Sequence, residues 1–160
     1  MDSYTKTLLI HASPQKLYQA LTTVEGLKSW WTESTVMTND DITFEFSDGV
    51  FQTMRRVDSI PDKKVVWECI AQHFPVKGTT QTDEWVGTRV SFALQANQND
   101  SSILVFTHRG LTPQLVCYDQ CHEGWDHFLE SLKRFLEQGT GTPYTGTAWH
   151  AESNTTSEER

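Results

Sequence analysis

The chain has 160 residues, 37% of them hydrophobic, with six tryptophans and a formal net charge of -8. That length suits one domain whose core needs no staple, and the composition is too apolar for disorder. The acidic balance argues against nucleic acid and against anionic membrane surfaces, because both need clustered Lys and Arg.

No stretch approaches the roughly 20 apolar residues of a membrane-spanning helix. The apolar run in "MDSYTKTLLIHASP" is too short for a signal peptide, so none is expected. Three cysteines, Cys69, Cys117 and Cys121, are an odd count. Free thiols and a reducing, cytoplasmic location are the expectation. The basic doublets Arg55-Arg56 and Lys63-Lys64 sit near Asp58 and Asp62 and read as solvated strand ends.

In chain order, "YTKTLLIH" at 4 to 11 predicts a first strand with Leu8 and Ile10 on one face. "ASPQKLYQAL" predicts a helix with Ser13 as cap and Pro14 at its first position. Leu17, Ala20 and Leu21 then fall at helical spacing. "TTVEGLKSWW" predicts a second short helix, interrupted at Gly26 and ending in Trp30 and Trp31.

From residue 35 the period changes to 2. Ile42, Phe44 and Phe46 alternate with polar neighbours, and "SDG" at 47 to 49 marks a turn. "VFQTMRRVDSI" continues as a strand, "PDKK" at 61 to 64 turns, and "VVWECIA" puts Val65, Trp67 and Cys69 on one face. Residues 72 to 83 read as a loop. "EWVGTRVSFALQ" predicts a strand with Thr88, Val90, Phe92 and Leu94 on one face. After "NQND", the stretch "SSILVFTHRG" aligns Leu104, Phe106 and His108. Six or seven strands joined mainly by short turns imply a largely antiparallel sheet.

A long helix is expected from near Thr112-Pro113 to Gly139, about 25 residues and roughly 37 Å. Beyond it, "GTGTPYTGTAWHAESNTTSEER" has no period, and residues 144 to 160 read as a flexible polar tail with Trp149 as its one late aromatic.

Within the long helix, "CYDQCHEGWDH" (117 to 127) crowds cysteines, histidines and acids together like a metal site. Its spacing says otherwise. Cys117, Cys121, Trp125, Phe128, Leu132 and Phe135 form one apolar stripe, while Asp119, His122, Glu123, Asp126 and Lys133 lie off it. His122 and His127 are about 140° apart around a helix and do not share an ion. Cys117 and Cys121 share a face, but Cβ atoms ~5–6 Å apart at that spacing exceed the ~3.8 Å a disulfide wants. No metal is expected.

The stripe must be buried against the sheet. Large rings face each other there, and they either fill the core or wall a cleft for a flat apolar molecule. The candidate lining is Trp30, Trp31, Phe44, Phe46, Trp67, Phe92, Phe106, His108, Cys121 and Trp125. Trp30 and Trp31 serve either as a mouth or as a plug of the sheet's open end. Glu68 and Arg89 have the opposite strand parity and are expected outside.

The words "ASPQKLYQALTTVEGLKSWW", "EWVGTRVSFAL", "FTHRG" and "CHEGWDHFLESLKRFLEQGTGTP", in this order, resemble the START-like (SRPBCC) superfamily. Within it the chain is similar to the Activator of Hsp90 ATPase homologue 1-like family, in its small single-domain bacterial form. The resemblance spans residues 4 to 143. It implies an α+β helix-grip fold, with a curved, mostly antiparallel sheet wrapped around the long C-terminal helix and two short helices after the first strand. Residues 1 to 143 would form that domain. The superfamily includes lipid and hormone carriers, aromatic cyclases and a co-chaperone. The co-chaperone relies on a further N-terminal domain, which is not expected here. No catalytic motif of the family maps onto this chain, and no cofactor is implied.

Three functions follow as expectations. The first is binding of a small hydrophobic or aromatic molecule between helix and sheet. The second is an enzyme of the cyclase, dehydratase or hydrolase kind in the same cleft, with His108 as the acid/base candidate; its alternative role is a hydrogen-bonded core histidine. The third is a chaperone-like protein-interaction module. A monomer, or a weak dimer through an exposed sheet edge, is expected.

Overall fold

The computed structural model describes residues 3–46, 49–76 and 80–145. Trp149 and the tail from 146 onward lie outside these residues. Strand β1 (Ser3–Ile10) leads into helices α1 (Pro14–Thr22) and α2 (Val24–Trp30). Six strands follow: β2 (Thr35–Thr38), β3 (Asp41–Glu45), β4 (Phe51–Ile60), β5 (Lys64–His73), β6 (Arg89–Asn97) and β7 (Ser101–Arg109). Helix α3 (Tyr118–Gln138) comes last.

The seven strands form one curved antiparallel sheet in the order β1-β7-β6-β5-β4-β3-β2. Six of its seven strands therefore run as a meander, and β1 closes one edge against β7. Alternation drives the layering: Ile42 and Phe44, Val65, Trp67 and Cys69, Val90 and Phe92, and Leu104 and Phe106 all point inward and are buried. Helix α3 lays its stripe across this inner face, burying Cys121, Trp125, Phe128, Leu129 and Leu132. Phe128, Leu129 and Leu132 contribute about 1.5–3 kcal/mol each relative to exposure. Tyr4 donates its hydroxyl to the Asp126 carboxylate, and Lys6 reaches the same carboxylate at 3.1 Å, tying α3 to β1.

The helix starts follow local chemistry. Ser13 Oγ accepts the Lys16 N–H at 3.2 Å, and Thr23 Oγ1 accepts the Gly26 N–H at 3.0 Å. Gly26 permits a close crossing: a Cβ there would lie 2.7 Å from the Ala20 Cα. Gly139 ends α3 with a φ of 86°. Outside the sheet, Glu68 and Arg89 pair at 3.0 Å, in keeping with their parity. The basic doublets meet acids, with Arg55 on Asp41 at 2.8 Å and Lys64 on Asp58 at 2.7 Å.

Four expectations need correction. Helix α2 runs unbroken from Val24 to Trp30, so Gly26 does not interrupt it. The strand read from Glu84 begins only at Arg89, because Gly87 takes a φ of +90° and Trp85–Thr88 close a turn, with the Thr88 N–H on the Trp85 carbonyl at 2.8 Å. The loop read from residue 72 instead begins after His73, since β5 continues through Gln72. Helix α3 starts at Tyr118 and has 21 residues, so Thr112–Cys117 is not helical. There the Glu84 carboxylate accepts the N–H groups of Val116 and Cys117 at 3.0 and 2.9 Å, drawing them away from a helix of their own.

Candidate functional site

All ten residues expected to line a cleft meet on the inner face, and most of them fill it. Trp31 is the hub: its ring stacks on Phe44 at 3.8 Å and on Trp67 at 5.6 Å, and it meets Trp125 at 5.0 Å. Trp67 abuts Phe92 at 5.0 Å, Phe92 abuts Phe106 at 5.3 Å, and Phe106 abuts Trp125 at 4.5 Å. These edge-to-face and offset contacts are favoured by the ring quadrupoles. Trp30 and Trp31 are both sealed, and the Trp30 indole N–H goes to the Ala20 carbonyl at 2.8 Å. Neither ring is exposed as a mouth would require.

His108 has both ring nitrogens engaged. An indole N–H can only donate, so the 3.0 Å contact from Trp125 Nε1 makes His108 Nδ1 an acceptor. The neutral ring then carries its proton on Nε2, which donates to Thr88 Oγ1 at 2.8 Å. The Thr88 hydroxyl in turn donates a hydrogen bond to the Trp85 carbonyl at 2.6 Å. Burial pushes the imidazole down from 6.5 to about 3. The histidine is thus a neutral strut between β7, the 84–88 turn and α3, with no nitrogen free for a substrate.

The same turn brings in Trp85, which sequence reasoning missed. Its ring is nearly parallel to Trp125 at 5.8 Å, and its indole N–H points at Cys121 Sγ at 3.2 Å. Burial raises the Cys121 thiol well above its ordinary value, an effect deepened by Cys117 beside it. Burial likewise pushes Cys69 up to about 12. Thiols held protonated in this way are poor nucleophiles.

Phe44, Trp67, Phe92 and Phe106 have 0% exposure, whereas Gln52, Gln72, Cys121, Phe128 and Tyr144 retain 7%, 8%, 6%, 5% and 9%, as do Ala12 and Leu94 elsewhere, at 6% and 7%. Phe46, from the expected lining, sits 6.4 Å from Phe128 and 5.4 Å from Tyr144. Tyr144, expected to begin the tail, is docked: its N–H bonds the Trp31 carbonyl at 2.8 Å, and its carbonyl takes the Glu33 N–H at 2.9 Å.

Four buried side-chain polar atoms have no hydrogen-bond partner among the described residues: Gln52 Oε1, Gln72 Nε2, the Tyr144 hydroxyl and, deeper in the ring cluster, Trp67 Nε1. Each such atom costs roughly 1–3 kcal/mol. Gln72 points inward because β5 slips register against β4 near Ile70, so that Cys69 and Gln72, an odd step apart, are both buried. Bulges of this kind re-aim side chains. Gln52 lies in register between Phe44 on β3 and Gln72 on β5. Gln52 and Gln72 thus stand side by side on the inner face with an unmatched acceptor and an unmatched donor.

The family model of Activator of Hsp90 ATPase homolog 1-like protein matches residues 11–137. The solution structure of the Aha1 dimer from Colwellia psychrerythraea is similar at 33% identity and a TM-score of 0.73, covering 88% of this chain and 100% of that one. A crystal structure from Mesorhizobium loti matches at 18% identity and a TM-score of 0.70, over 86% and 98% of the two chains. DynU16, from the dynemicin biosynthetic locus, matches at 17% identity and a TM-score of 0.64, over 88% of this chain and 49% of its own. The last two speak for the fold alone. No curated protein is detectably similar in sequence. Among the described residues, no helix is long and apolar enough to cross a membrane.

Proposed function

The chain belongs to the Activator of Hsp90 ATPase homolog 1-like family, and from that premise we propose that it is a binding module for a small hydrophobic or aromatic molecule. The ligand enters at the Phe46–Phe128–Tyr144 end, between α3 and β3–β5. The observation that carries this reading is the set of unpartnered buried polar atoms on Gln52, Gln72 and Tyr144 within aromatic walls. Sites for small molecules combine mostly apolar surface with a few placed polar groups. His108, with both nitrogens engaged, supports binding over acid/base catalysis. The test is thermal unfolding against a panel of small aromatic compounds. A ligand present at 100 times its Kd stabilises the fold by about 2.7 kcal/mol, and a panel without any upward shift counts against the reading.

A second reading, an Hsp90-activator-like module, draws on the likeness to the Aha1 dimer. It predicts stimulation of Hsp90 ATPase turnover by the purified chain. Unchanged turnover at saturating chain removes it.

A further inference from the structure

We propose, resting on the binding reading above, that the ligand is uncharged and presents an amide-like edge, a hydrogen-bond acceptor beside a donor, to Gln72 and Gln52. The orientation of the Gln72 amide is fixed by its neighbour. Its Oε1 accepts the Trp85 backbone N–H at 2.9 Å, so Nε2 and its protons point the other way, buried and unpartnered. Gln52 stands directly opposite on β4 with Oε1 unpartnered, and an acceptor in this position complements the outward donor of Gln72. Directly opposed strand residues have Cβ atoms ~4.5–5.5 Å apart, a spacing that the two polar atoms of one planar group can span. A primary carboxamide, a lactam or a protonated carboxylic acid provides that pair: its carbonyl accepts from Gln72 and its N–H or O–H donates to Gln52.

Charge is disfavoured by the burial of the pair, since Gln52 and Gln72 are 7% and 8% exposed and the buried residues described include no lysine or arginine. A carboxylate would lose its water there without gaining a buried cation, and an ammonium would lose its water as well. An acceptor-only ketone would leave Gln52 unmatched. Pairing of this kind discriminates strongly because a missing partner leaves a buried polar group stranded.

The experiment is calorimetric titration of the full chain at pH 8 with 2-naphthamide, 2-acetonaphthone and 2-naphthoate, which share one ring system. At that pH the naphthoate is ionised. The expected result is naphthamide binding at least about tenfold more tightly than either of the others, equivalent to ~1.4 kcal/mol. Gln52→Met, close in volume and without an amide, should bring naphthamide to within about threefold of acetonaphthone. The same substitution should raise the melting temperature of the ligand-free protein, because it removes a stranded acceptor. Gln52→Leu serves if the methionine variant does not fold. Equal binding of all three compounds, or an amide preference that survives the substitution, overturns the amide-edge assignment and leaves the binding reading standing. No binding by any of the three up to millimolar concentration overturns both.

Discussion

Trp125 donates its indole N–H to Nδ1 of His108 at 3.0 Å, deep between α3 and β7. That contact fixes the tautomer, directs the remaining ring proton to Thr88, and couples the long helix to the sheet through a polar link in an otherwise aromatic core. A network of this sort, fully satisfied, rigidifies the wall of the proposed site.

His108→Leu should therefore strand the Trp125 N–H while keeping an apolar body in place. The expected loss is about 2–4 kcal/mol. His108→Gln, whose amide offers one acceptor and one donor, should recover most of it. Urea midpoints with unchanged slopes would check both; a leucine variant as stable as the parent would contradict the network's role.

The same histidine sets a pH dependence. Unfolded, it titrates near 6.5; folded, it does so at about 3. Below 6.5 the unfolded chain binds a proton that the folded chain refuses. Stability is thus full above 6.5 and falls by about 1.4 kcal/mol per pH unit as pH drops toward 3. His127, lowered by burial and partly restored by the Thr142 carbonyl, adds in the same direction. The lowered carboxylates Asp41, Asp58 and Glu137 act only nearer pH 4. Urea midpoints between pH 7 and pH 5 should fall more steeply for the parent than for His108→Gln. Parallel slopes would contradict the assignment.

The three thiols are buried, and those of Cys69 and Cys121 are held protonated. A thiol-disulfide reagent at pH 8 should label the native protein only as fast as it opens, and label all three cysteines at once in denaturant. Rapid labelling of the native fold would place one of them at the surface.

The segment after α3 is stitched down by Ser131, whose hydroxyl donates to the Trp30 carbonyl at 2.8 Å and accepts the Thr142 N–H at 2.7 Å. A Cβ at Gly141 would lie 2.5 Å from the Ser29 carbonyl oxygen. Gly141→Ala should lift this strap and Tyr144 with it, at a cost of about 1–3 kcal/mol. Limited proteolysis should then cut near residue 141 sooner than in the parent. Unchanged proteolysis would mean that the strap tolerates the methyl group.

The period-2 stretches placed β3, β4, β5 and β7 because one face of each is buried and the other wet, and the stripe from Cys121 to Phe135 placed α3 for the same reason. The ring cluster was legible with them, down to the inward parity of His108. The inward glutamine pair was not. Glutamines at 52 and 72 look like surface residues by type, and the register slip near Ile70 that turns Gln72 inward has no signature in the sequence. Trp85 was read as part of a strand because the left-handed turn at Gly87 hides behind a β-rich run. Tyr144 was lost among the Gly and Thr residues of the tail, since a bridge from Thr32 to Tyr144 depends on where α2 ends. Alternation reports which face is buried; it does not report where a bulge reverses that face.

Native mass spectrometry of the protein purified gently from its own host, set against the same sample after denaturation, tests the binding reading most directly. The expected result is a reproducible extra mass that disappears on denaturation and belongs to an uncharged compound with a carboxamide, lactam or carboxylic acid group. Bare protein in every growth state, together with unshifted melting across the aromatic panel, would contradict it.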